Sequence, residues 1–270
     1  MKAKHFAYPY VGWMAVFVAA PIVLVVVYAF TASDGTPTLR HFSNMANYMS
    51  VFVRSFRLSA ISTAICIVLG YPLAYILSRE GVRIQRIMIM LIMLPLWMSF
   101  LLRTYAWMSI LENTGLLNRL LSFLGLPAIR IINTQAAVVV GMVYNFLPFM
   151  ILPIYSVIVK IDRSLIEAAQ DLGAGTNAVF RKLIFPLSLP GVLSGVTMVF
   201  VPGVSTFIIS QLLGGGKEML LGDLIELQFL GAAYNPHLGS AISLVMMIIV
   251  IAFMYFMNKF GEGEGMAAGL

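Results

Sequence analysis

Six stretches of this 270-residue chain run for about twenty residues or more with almost no charge, and that pattern constrains the fold before any single residue is considered. They are Tyr10 to Phe30, Phe56 to Leu77, Ile87 to Ile110, Gln135 to Val159, Phe185 to Leu213 and Leu238 to Phe256. A helix of that length covers the hydrocarbon of a bilayer, about 30 Å at about 1.5 Å per residue. Backbone N–H and C=O groups find no water there, so a spanning segment must be a helix or a strand of a closed barrel. Barrel strands alternate in polarity over about ten residues. These runs are continuously apolar, so an all-α polytopic membrane bundle with six transmembrane helices is expected, with residues 1–270 as one domain.

A formal charge of +6 could suggest nucleic acid, but the chain is 60% apolar and 10% charged, and its basic residues fall between the apolar runs. With six spans both termini share a side, which then holds Lys2, Lys4, Arg79, Arg83, Arg86, Lys160, Arg163, Arg181, Lys182 and Lys259. The opposite side holds Arg40, Arg54, Arg57, Arg119, Arg130 and Lys217. The denser set marks the cytoplasm, so both termini are expected inside. Arg103, near the outer end of the third span, is expected to snorkel to the interface. The first run exceeds a signal-peptide core of about 7 to 15 residues and is expected to be a retained span, the other reading being a signal cleaved near Ala32 and Ser33. Residues 257–270, ending "GEGEGMAAGL", are expected to form a flexible tail.

Enzymatic chemistry finds no footing in these residues. Cys66 stands alone, and His5, His41 and His237 lie in no ligand spacing, so neither a disulfide nor a metal site is expected. "GGGK" (Gly214 to Lys217) is followed by Glu218 and lacks the spacing of a phosphate loop. No catalytic residue and no cofactor are assigned, and any energy source must sit in another subunit.

One polar insert interrupts the oil: "SLIEAAQDLGAGTNAVFRKLIFPLSLPGV", Ser164 to Val192. Ser164 and Glu167 have capping-box spacing, Gly173 suits a left-handed helix stop, and Thr176 or Asn177 can cap a second helix. Pro186 and Pro190 then permit a bend as the chain re-enters the bilayer. Leu165, Ile166, Ala168, Ala169 and Leu172 form an apolar stripe that could enter a partner's groove or pack on the protein's own helix ends.

"EAAQDLGAGTNAVFRKLIFP" resembles the EAA loop of binding-protein-dependent ABC importer permeases, with Glu167, Ala168, Ala169, Gly173 and Pro186 in register. Leu183 and Phe185 replace the family's usual Ile and Leu. "LPLWMSFLLRTYAWMSIL", "NTGLLN" and "QLLGGGKEMLLGDLIELQFL" are similar to the permeases of spermidine/putrescine importers. The resemblance implies a type I permease fold, in which the loop at 160–186 docks on an ATP-hydrolysing subunit and Glu167, Ala168, Ala169, Gly173, Leu183 and Pro186 couple its closure to the membrane helices. It implies a second, non-identical permease, two ATP-binding subunits that hold ATP-Mg, and an external substrate-binding protein, all at a bacterial inner membrane. Relatives for ferric iron, thiamine or aminoethylphosphonate share parts of these segments.

A polyamine is a chain of ammonium groups, recognised by carboxylates and aromatic faces. No acid falls in mid-membrane. On or near the outer side stand Glu112, Glu218, Asp223 and Glu226, of which Asp223 and Glu226 share a face if their segment is helical. That face could meet a cation or simply be solvated. Trp97 and Tyr105 are candidates for the entry path beside Glu112; Tyr105 and Trp107 equally suit an aromatic belt. "GVLSG" (Gly191 to Gly195) could pack on a second permease or internally. A secondary transporter or channel would need intramembrane charges or two related halves with broken helices, and neither is evident. A scaffold gives no reason for the coupling pattern.

Overall fold

The computed structural model describes residues 8–231 and 233–267, and every regular element among them is a helix. Lys2, Lys4, His5 and the last three residues of the tail lie outside the described residues. In chain order the helices are α1 (Pro9–Phe30), α2 (Arg40–Met45), α3 (Met49–Arg79), α4 (Val82–Met93), α5 (Phe100–Leu111) and α6 (Leu116–Phe123). There follow α7 (Gln135–Ile158), α8 (Arg163–Asp171), α9 (Thr176–Ser205), α10 (Ile208–Leu213), α11 (Leu221–Leu230) and α12 (Pro236–Ala267). Chain order puts the turns at 80–81 and 159–175 at one end of the bundle, hereafter the near end, and 31–39, 112–134 and 206–235 at the far end.

Five of these helices are long and apolar enough to cross a membrane, and a sixth crossing is a bent pair. α3, α7 and α9 form the centre, α12 packs on α9, and α1 leans on α12. The central contact depends on small residues: a β-carbon at Gly195 would lie 2.7 Å from Met150 Sδ, and one at Gly191 would lie 2.8 Å from Pro153 O. The "GVLSG" glycines therefore serve internal packing between α7 and α9. Polar groups also enter the seam: Tyr71 Oη meets Ser188 Oγ at 2.8 Å, and Asn145 Nδ2 donates to Gly141 O at 2.9 Å. At the far end of α1, His237 Nδ1 meets Tyr28 O and His41 Nε2 meets Thr31 O, both at 3.1 Å, and the two imidazoles stack with centroids 5.5 Å apart. Two histidines distant in sequence thus fasten the peripheral first span.

Four expectations need correction. The third span is not one helix: 82–97 and 100–123 meet at 90°. Pro95 has no N–H to continue the ladder, a 3₁₀ turn covers Leu94–Trp97, and Met98 is extended. The fifth span ends at Ser205 rather than Leu213, because Thr206 turns extended where Gly222 of α11 packs against the carbonyls of Ser205 and Thr206. Pro186 and Pro190 make no re-entry bend, since α9 is continuous and a π-helical turn at Phe180–Ile184 precedes the first proline. Finally, α12 runs on to Ala267, so most of 257–270 is helical; lengthening an established helix avoids the cost of nucleation.

Overpacking the central contact should be costly. Gly195→Leu should lower the melting temperature in detergent, by the equivalent of about 1 to 3 kcal/mol, because Met150 backbone atoms oppose the new side chain. Gly12→Leu on α1, which meets nothing within 4 Å, should melt like the parent.

Candidate functional site

At the near end the insert folds as a hairpin. Asp162 caps α8, its Oδ1 accepting the Ser164 N–H at 2.9 Å, and this bond holds the carboxyl below its usual range. Ser164 is thus not the cap, and the Ser164–Glu167 capping box does not form. Aspartate one step upstream supplies the better acceptor for the free donors of the first turn. Gly173 closes the helix with φ +84°, its N–H donating to Gln170 O at 2.8 Å while Ala174 N–H donates to Ala169 O at 3.0 Å. These are both bonds of a Schellman turn, in the left-handed conformation that a β-carbon disfavours. Gly175 takes the cap position of α9, one residue before Thr176.

The hairpin's apolar stripe is divided. Ile166 and Ala169 pack on the central core with Ile161, Phe180 and Leu183, whereas Leu165, Ala168 and Leu172 point out, Leu172 being 89% exposed. Glu167 is exposed beside them, as is Pro186, which follows the π-helical turn of α9. Of the six residues expected to couple, Glu167, Ala168, Gly173 and Pro186 are thus at the surface, and Ala169 and Leu183 turn to the bundle.

At the far end, polar side chains brace the α10–α11 connection. Glu218 Oε2 lies 3.4 Å from Arg54 Nη1 and accepts from Gln135 Nε2 at 2.9 Å, while Arg57 Nη2 donates to Gln135 Oε1 at 2.6 Å. Arg54–Glu218 is the ion pair found among the described residues, so Glu218 is a brace. Beside it, Asp223, Glu226 and Gln211 line a cavity of about 290 Å³ walled by Met219, Leu227 and Leu230. Asp223 is 7% exposed; its Oδ2 accepts the Leu220 N–H at 2.7 Å and its buried Oδ1 accepts nothing. Glu226 Oε2 accepts from Gln211 Nε2. The pair is therefore not a solvated helix face.

The other path candidates lie elsewhere. Glu112 lines a separate hollow with Arg119, Trp97 is 81% exposed at the α4–α5 break, and Tyr105 is partly exposed on α5. Arg103 does not snorkel: it is 7% exposed, its Nε and Nη1 lack partners, and its guanidinium sits 5.9 Å from the Phe100 ring. The break at Pro95 reorients α5 and turns this face inward. Sequence reasoning missed Gln211, whose approach to Glu226 depends on the α9–α10 break; only the "TF" step at Thr206 and Phe207 hints at it.

The family described as binding-protein-dependent transport system inner membrane component matches residues 66–260. The chain is 38% identical over 261 residues to the spermidine/putrescine transport system permease protein PotB of Haemophilus influenzae, covering 92% of this chain and 91% of that protein. To PotB of Escherichia coli K12 it is 36% identical over 250 residues, covering 89% and 90%. Among solved structures, a bacterial ABC transporter that imports the acidic polysaccharide alginate superposes with TM-score 0.81 at 16% identity, over 96% of this chain and 94% of that one. The MetNI methionine ABC transporter in an inward-facing conformation gives 0.62 at 18%, over 82% and 98%. The six-span bundle with one broken span is thus a permease fold, and the chain is a multi-pass inner-membrane protein.

Asp223 generates a pH test. α11 lies outside the spans, and burial pushes this carboxyl up to about 6, offset in part by the Leu220 N–H. The folded state then holds the proton more tightly than the unfolded chain, so its contribution to stability is full below the ordinary carboxylate range and is lost as pH rises through about 6. Melting of the detergent-solubilised protein should fall across that window, and Asp223→Asn should flatten the fall; a parallel profile in the variant refutes the assignment.

Proposed function

The chain belongs to the family of binding-protein-dependent transport system inner membrane components, and from that membership we propose that it is a permease subunit of an ATP-driven polyamine importer. It works with a second, non-identical permease, two ATP-binding subunits and an external binding protein that delivers spermidine or putrescine. The polyamine reading draws on the two PotB relatives, each matched over most of its length, and on the acid-lined far-end cavity. The alginate importer, of similar fold and an anionic cargo, is why fold alone does not choose the cargo. A solved complex of the alginate transporter with its periplasmic protein supports the partner set.

The observation that carries the mechanism is the near-end hairpin. Leu165, Ala168, Glu167 and Leu172 form a free face, Ile166 and Ala169 anchor the opposite face, and the Schellman turn at Gly173 joins α8 rigidly to α9. Because α9 is a continuous helix of 30 residues, spanning about 45 Å at about 1.5 Å per residue, a push on the hairpin moves the far end without an intervening hinge. Closure of the ATP-binding subunits on ATP draws the hairpin, the permeases tilt outward to accept the amine, and hydrolysis resets them inward. The basic residues of the near end, Arg79, Arg83, Arg86, Lys160, Arg163, Arg181, Lys182 and Lys259, support a cytoplasmic hairpin and cytoplasmic termini.

In vesicles holding the full assembly, spermidine and putrescine should compete for uptake while neutral diols and acidic sugars should not; competition by the sugars alone overturns the cargo. Leu172→Asp and Glu167→Ala should each cut uptake on the order of tenfold while ATP turnover by the assembly continues. Gly173→Val should act similarly, since its left-handed φ of +84° strains a β-branched residue even though the space around it is open. Unchanged uptake in all three variants refutes the docking face.

A further inference from the structure

The far-end cavity has the composition of a specific cation site. Asp223 and Glu226 project into it from one face of α11, separated by one helical turn, and none of the described residues lining it is basic. A surface carboxylate is ordinarily solvated. Asp223 instead is more than nine-tenths buried, with one oxygen capping α11 through Leu220 N–H and the other, Oδ1, accepting no bond. A buried acceptor without a donor is costly, more so when charged, and persists where a ligand can complete it. In this structure neither neighbouring donor bonds Oδ1: Gln211 Nε2 donates to Glu226, and the Ser210 hydroxyl donates to Phe207 O.

The walls decide which cation. Calcium or magnesium takes six or more oxygens in a shell, and no cluster of three or more metal-ligating side chains is found among the described residues; beyond Gln211 and the backbone at Gly216 and Gly231, the wall here is Met219, Leu227 and Leu230. Methylene groups suit that wall, and an ammonium group carries three donors for the acceptors at its end. Resting on the reading of the chain as an amine permease, we propose that this cavity receives one ammonium end of a short-chain diamine or polyamine released by the binding protein. Asp223 and Glu226 take the charge, and Met219, Leu227 and Leu230 cover the adjoining methylenes. The volume, about 290 Å³, holds an aminoalkyl segment, and the braced α10–α11 connection keeps the two carboxylates in place.

Two measurements on the full complex test it. The first uses the wild-type assembly without binding protein: a water-soluble carbodiimide with an amine tag should modify Glu226 or Asp223, and 1,4-diaminobutane should protect these residues while 1,4-butanediol does not. Equal labelling in both overturns the site, whatever the cargo. The second is uptake: Asp223→Asn keeps an oxygen for Leu220 N–H and Glu226→Gln keeps a polar contact with Gln211, so each should fold. Each should raise the KM for the diamine about tenfold, with the loaded binding protein docking as in the parent. If instead docking of the binding protein weakens and diamine protection is absent, the acids hold a basic side chain of that protein and the proposal falls. Protection without amine uptake by the wild type would keep the site and refute the cargo; amine uptake with neither protection nor a KM change would keep the cargo and refute the site.

Discussion

Every structural choice in this subunit answers to one constraint: a peptide group inside hydrocarbon must find its hydrogen-bond partner within the protein. Helices satisfy it along their length. Where a helix stops short of the water, something must cover the exposed groups, and each interruption here has such a cover. At the end of α9 the carbonyls of Ser205 and Thr206 are packed by Gly222, a residue whose missing side chain is what lets α11 approach. At the α4–α5 break, the 3₁₀ turn and the bond from Met98 N–H to Pro95 O take up backbone groups that proline leaves without a helical partner. Prolines at 72, 148, 153, 190 and 202 sit within helices without breaking them, because neighbouring helices and local adjustments absorb the loss.

The same constraint explains what could be read from the amino acids and what could not. Spans one, two, four and six were legible because twenty apolar residues in a row leave a membrane chain no other structure. The central run Gln135–Ile158 starts where expected because Thr134 is a side-chain cap, its Oγ1 accepting the Ala137 N–H. The third and fifth runs look as apolar as the rest, and hydropathy carries no record of a break inside oil. Pro95 marks one break, but Pro72, Pro148, Pro153, Pro190 and Pro202 lie inside intact helices, so proline alone was not a sufficient sign.

The near-end hairpin was legible to the level of its turn and not to the level of its faces. Gly173 declares a left-handed stop from sequence, since few other residues tolerate that conformation at no cost. Which apolar residues are buried depends on how α8 rolls on the core, and that is set by Ile158, Val179 and Ile184 on other elements. The far-end acids were legible as a pair on one helix turn, but their burial was not. Asp223 is enclosed only because α9 ends early and α10 turns back to bring Gln211 within reach of Glu226. A site assembled across a break inherits the unpredictability of the break.

The two ends of the bundle are fastened by different physics, and the difference bears on motion. Directional bonds hold the far end: the Arg54–Glu218 pair and the Gln135 amide connect the α10–α11 region to α3 and α7. Apolar contact holds the inner face of the near-end hairpin, through Ile166 and Ala169, and such contact tolerates sliding because it has no preferred angle. A force applied at the hairpin therefore meets its least resistance there and its greatest at the far end. Between them α9 is unbroken, and its last carbonyls bear directly on Gly222, one residue before Asp223. A tilt of α9 must either break that backbone packing or carry α11 with it, so the wall of the acid cavity is mechanically continuous with the hairpin at the opposite face of the membrane.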